Sequence, residues 1–177
     1  MFCWVITKYD PQNRDAEGRY LKDEWTEYGD IGRKFGGKEF TYQEYAKIEE
    51  KHIQAVLLFM ECLGIDSLKV IKLEFKGKKP DKVTVEGRDI YNNIFYSKET
   101  IVFIIQSVLR YKFWCALEAE GMRVRFEYDY YMNLACFLPC ADTIKKIEEM
   151  GLFVEKSTLE FLFDEDEMQH VPAAILQ

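Results

Sequence analysis

"YKFWCALEAEGMRVRFEYDYYMNLACF", residues 111–137, is the stretch on which the fold turns. It is dense in aromatic side chains, alternates in character, and divides at Glu120-Gly121 into two runs. Two half-buried antiparallel strands meeting at a short turn have this pattern, with one face toward a core and one partly open. The hairpin is therefore expected at the centre of a sheet.

The elements C-terminal to it are shorter. Residues 142–150 have the spacing of an amphipathic helix, Gly151 stands at its stop, and "LFVEK" at 152–156 reads as one more strand. Residues 157–177 mix an apolar patch with an acid run and read as an acidic C-terminal extension.

Upstream, the strongest signal is residues 41–63. Thr41 and Glu44 have capping-box spacing, and Gly64 marks the helix end. Tyr45, Ile48, His52, Ile53, Val56, Leu57, Met60 and Leu63 form the apolar stripe between them. "FCWVITK" at 2–8 reads as an opening strand ended by a turn around Pro11 and Gly18. "SLKVIKLEFKG" at 67–77 and "DKVTVEG" at 81–87 are expected to pair as a hairpin across a lysine-rich connection. From Ser97, Ile101, Ile104, Ile105, Val108 and Leu109 recur at helical spacing, although the β-branched content also permits a strand. These elements predict a single α+β domain over residues 1–177, a mostly antiparallel sheet covered by about three helices.

Thirty-one acids against twenty-four bases give a net charge of −7, a field that repels phosphate backbones and attracts basic partners, so no nucleic acid is expected as ligand. The five cysteines are odd in number and lack the close pairing of zinc or redox motifs, so reduced, mostly buried thiols are expected. The opening residues lack the pattern of a signal peptide, and every apolar run, 101–105 included, is far too short to span a bilayer. A soluble cytoplasmic protein with no membrane partner is the expectation.

Candidates for chemistry are few. The two histidines, His52 and His170, are distant in sequence and neither lies near a cysteine. His52 on the helix stripe reads as a packed residue rather than a ligand. Glu74 and Lys76, with Asp66 upstream, have the residue types of a metal-dependent nuclease, but alternating charges on a solvated strand give the same pattern. Lys69, Lys72, Lys76, Lys78, Lys79 and Lys82 could bind phosphate, although protecting a sheet edge from pairing is the plainer role. No phosphate loop, nucleophile elbow or zinc helix is present, so no catalytic residue, metal or cofactor is expected.

The remaining feature pairs acids with aromatics. The loop "KDEWTEYGDIGRKFGG" at 22–37 carries Asp23, Glu24, Trp25, Glu27, Tyr28 and Asp30, and "EYDYY" at 127–131, read as strand, carries Tyr128, Asp129 and Tyr131. Carboxylates complement Lys and Arg on a basic partner, while Trp and Tyr give rigid contact area at small entropic cost. The competing reading is that Trp25 and Tyr28 staple the loop to the core.

The stretch at 9–59, beginning "YDPQNRDAEG" and containing "DEWT-x-x-x-DIG" and "T-x-x-EY", together with "FWCALEAEG", "FEYDYYMNLA" and "MGLFVE", resembles immunity proteins of bacterial contact-dependent growth inhibition, in particular the group paired with ribonuclease toxins. The resemblance covers residues 9–74 and 114–155. It implies a cytosolic, non-enzymatic inhibitor that binds a cognate toxin domain tightly and protects the producing cell; the leading expectation is that this domain is a basic ribonuclease whose active site or substrate groove is occluded. The alternatives are the nuclease built on Asp66, Glu74 and Lys76, or an adaptor that self-associates through the aromatic strand. Oligomeric state has no signature in the sequence.

Overall fold

The computed structural model describes residues 1–158, and the acidic extension from 159 onward, with His170, lies outside the described residues. Along the chain run β1 (Phe2–Thr7), β2 (Lys34–Phe35), β3 (Lys38–Glu39), α1 (Tyr42–Leu63), β4 (Ser67–Glu74), β5 (Lys82–Val85), β6 (Arg88–Tyr91), β7 (Phe95–Ser97), α2 (Lys98–Leu109), β8 (Trp114–Ala119), β9 (Met122–Phe126), β10 (Met132–Cys136), α3 (Ala141–Glu149) and β11 (Phe153–Lys156). Seven strands form one antiparallel sheet in the order β11-β1-β10-β9-β8-β4-β7, and two small hairpins, β2-β3 and β5-β6, stand apart. This is the expected α+β arrangement, with β8 and β9 at the middle of the sheet.

Register tells the two faces apart, because side chains alternate along each strand. Leu117 faces Val124, which faces Leu134, which faces Trp4. This row joins the core with Ile53, Val56, Phe59 and Met60 of α1 and Ile101, Ile104 and Ile105 of α2. The opposite row holds Ala116, Arg125 and Asn133 and carries no helix-facing residue of that core. Helix α1 begins as the spacing predicts: the Thr41 hydroxyl accepts from the Glu44 N–H, and the Glu44 carboxylate accepts from the Thr41 N–H. It ends at Gly64 in the left-handed region, φ 67°.

Three expectations need correction. The run at 122–137 is two strands, not one: β9 and β10 pair Phe126 with Met132, and residues 127–131 turn between them. Asp129 and Tyr130 make that reversal with φ of 56° and 61°, without the glycine or proline that would have announced it. Second, β5 pairs with β6 rather than with β4, since Glu86-Gly87, with φ 50° and 76°, closes a two-residue hairpin of its own. Strand β4 instead lies between β8 and β7, so its lysines do not guard the sheet's edge strand. Third, the cysteines are not all thiols. Cys62 at the end of α1 and Cys140 ahead of α3 form a disulfide across 78 residues, while Cys3, Cys115 and Cys136 are free. Sequence spacing is silent on a pair so distant; the packing of α1 on α3 creates it. Among the described residues no helix is long and apolar enough to cross a membrane.

Candidate functional site

Folding brings the two predicted acidic and aromatic segments together around Lys8, the residue just after β1. Its side chain is 3% exposed, and Nζ donates to Glu24 Oε2 at 2.9 Å. The same ammonium lies 3.9 Å from the Tyr9 ring centroid and 4.3 Å from that of Trp25. Burial pulls its pKa down, and the bond to Glu24 opposes that fall. Such an arrangement neutralises a desolvated cation with one carboxylate and two π faces.

Trp25 stacks on Phe40 at 4.4 Å and meets Tyr130 edge-on at 5.1 Å. Tyr28 meets Tyr45 edge-on at 4.9 Å, and Tyr131 stacks on Tyr9 at 5.5 Å. Asp30 is 4% exposed; its carboxylate accepts from the Thr26 and Glu27 N–H groups at 2.8 and 3.1 Å and from Arg33 at 2.6 Å. Four of the residues singled out for recognition, Glu24, Trp25, Tyr28 and Asp30, thus fasten the loop to the body of the protein. Glu27 and Tyr131 are half-buried. What remains on the outside is Asp23, Asp129 and Tyr128, the last 80% exposed.

The same cluster explains His52, which is fully buried. Its Nδ1 is 2.9 Å from the Ile48 carbonyl and its Nε2 3.2 Å from that of Tyr130, and burial holds its pKa below the usual 6.5. It is a core residue, as the helix stripe suggested. Beside it, Arg110 donates twice to the buried carboxylate of Glu49, at 2.7 and 2.6 Å, and Tyr45 Oη donates to Glu49 at 2.8 Å. Sequence reading passed over Glu49 and Arg110; an acid interrupting the buried face of an amphipathic helix was the available signal.

A cleft of about 530 Å³ opens next to this face, where β4 and β9 leave the sheet and β8 enters it. Its lining includes Lys72, Lys76, Lys79, Lys112 and Arg125 against two carboxylates, Glu74 and Glu127. Tyr111, Trp114 and Tyr128 also line it, with Phe75 and Phe113. Arg125 contacts Glu127 at 2.8 Å and lies over the Trp114 ring at 5.6 Å. Strand β4 is bulged here: Ile71 faces Ala116 but Glu74 faces Trp114, so one extra residue is accommodated, and Lys72 takes φ 54°. Lys76 and Tyr111 in the lining, and Asp129 and Tyr130 beside it, also hold positive φ. Left-handed backbone at non-glycine residues costs about 1 kcal/mol or more each, and such residues concentrate at functional sites.

The predicted lysine cluster is therefore split. Lys69 pairs with Glu118 at 2.7 Å and Lys82 with Asp89 at 3.1 Å, whereas Lys72, Lys76 and Lys79 enter the cleft. The nuclease constellation is not assembled. Glu74 and Lys76 share the cleft, but Asp66 pairs with Lys98 at the other end of β4, roughly 25 Å of extended chain away.

No family model, curated protein or solved structure matches this chain.

Proposed function

We propose that this protein is a non-catalytic immunity protein that binds and neutralises a cognate toxin domain, a basic nuclease, in the cytosol of the producing cell. The resemblance of the 22–37 loop and the 127–132 segment supplies the class. One observation carries the mechanism: the loop is already fixed in the unbound chain, through Trp25 on Phe40 and the buried Asp30. A recognition surface ordered before encounter avoids the entropy of ordering at binding. The exposed residues it offers are Asp23, Tyr128 and Asp129, two carboxylates for cations and one projecting aromatic anchor.

If the gene immediately upstream encodes a large secreted protein, co-expression with that protein's C-terminal domain tests this reading. The expected result is rescued growth and a stable complex of the two chains. A purified protein that leaves that domain's activity intact, or that itself cleaves RNA or DNA with magnesium present, overturns it. Asp23→Lys combined with Tyr128→Ala and Asp129→Asn locates the face: affinity should fall at least about tenfold with an unchanged melting temperature.

A further inference from the structure

The cleft between β4, β8 and β9 shares Tyr128 with the proposed face, but its chemistry differs from the rest of that face. Lys76, Lys79 and Lys112 are exposed cations at its wall, with Lys72 on the bulge behind them. Three exposed rings, Phe75, Tyr111 and Tyr128, share the lining with those amines. Arg125 and Glu127 contact each other, which leaves Glu74 as the remaining carboxylate of the lining.

Cations alone would suit any anion, and rings alone any apolar group. Their interleaving fits a guest with a flat aromatic part and a multiply charged anionic part, since base rings stack on tyrosine and phenylalanine while ammonium groups take phosphate. The volume lies within the range of small-molecule sites and suits a nucleoside phosphate. We infer that this cleft binds a nucleoside phosphate, with the base against Tyr111 and Tyr128 and the phosphates on Lys76, Lys79 and Lys112.

The net charge of −7 does not stand against this. Glu160, Asp164, Glu165, Asp166 and Glu167 supply five of those charges from a segment without lysine or arginine. Screening confines exposed charges to about 8–10 Å at ordinary ionic strength, so the lysines at the wall set the local field. The expectation of no nucleic-acid ligand rested on the summed charge, which averages over this local excess.

Calorimetric titration of the full chain with ATP, adenosine, inorganic triphosphate and an adenylate hexanucleotide tests the site. ATP should bind saturably, with adenosine and inorganic triphosphate each at least about tenfold weaker, because each lacks one half of the recognised group. Lys76→Glu with Lys79→Glu should weaken ATP at least about tenfold without moving the melting temperature, since both side chains are exposed. A hexanucleotide that binds more tightly than ATP identifies a single strand as the source of the nucleotide, and a weaker one identifies the free nucleotide; both support the site. Absence of saturable ATP binding, ATP affinity untouched by the double charge reversal, or inorganic triphosphate matching ATP overturns it.

Discussion

The loop face and the cleft are built from the same residue types and use them in opposite ways. Around Lys8, the ammonium, the Glu24 carboxylate and the rings of Tyr9 and Trp25 satisfy one another inside the protein. In the cleft, Lys76, Lys79 and Lys112 stand at the surface beside exposed Tyr111 and Tyr128. Composition alone ranks the loop as the recognition surface. Burial and pairing show that most of its distinctive side chains are structural, and that Asp23, Tyr128 and Asp129 remain exposed.

The contrast can be broken most severely at Arg110. Arg110→Ala leaves the Glu49 carboxylate buried without its ionic partner and should cost about 3 kcal/mol in urea unfolding, most of which Glu49→Gln in the same chain should restore. Trp25→Ala should lose about 2–3 kcal/mol and make the 22–37 loop a preferred proteolysis site, whereas Tyr128→Ala should change stability by less than about 0.5 kcal/mol. Adjacent acids sharpen the comparison further. Glu24→Gln should cost about 1–2 kcal/mol by weakening the partner of buried Lys8, while Asp23→Asn should be silent within about 0.3 kcal/mol.

The last contrast is a pH dependence. His52 has a depressed folded pKa, so below its ordinary 6.5 the unfolded chain takes up a proton that the folded chain refuses. Stability contributed by the neutral ring is complete above that value and declines as pH falls below it. Between pH 6.5 and about 5, His52→Gln should show a shallower loss than the parent, measured as the difference between their unfolding free energies.

Local rules made part of this architecture readable. Helix α1 was legible because Thr41, Glu44 and Gly64 are backbone chemistry written in neighbouring residues. The β8-β9 hairpin was legible because its alternation matches the pleat. The turn at 127–131 was not, since tyrosines favour strands and Tyr130 leaves the ladder only because its ring is buried against Trp25, Tyr45 and His52 and its hydroxyl donates to the Leu109 carbonyl. The Cys62–Cys140 bond and the pairing of β4 with β7 and β8 depend on contacts between distant segments. For the candidate site, sequence singled out the 22–37 loop and the lysines between 69 and 82. It could not say that Asp30 turns inward or that Lys69 is neutralised by Glu118, because the direction of a side chain is a property of the folded chain.

The bulge in β4 has a bearing on how this chain tolerates change. Ahead of it Leu68 and Val70 point to the core; beyond it Leu73 does, so the inserted position shifts the pleat by one. Deleting Lys72 would yield a neater ladder, yet the same excision would straighten the wall that carries Phe75 and Lys76 and draw the opening shut. In this chain a more regular sheet would come at the expense of the cleft.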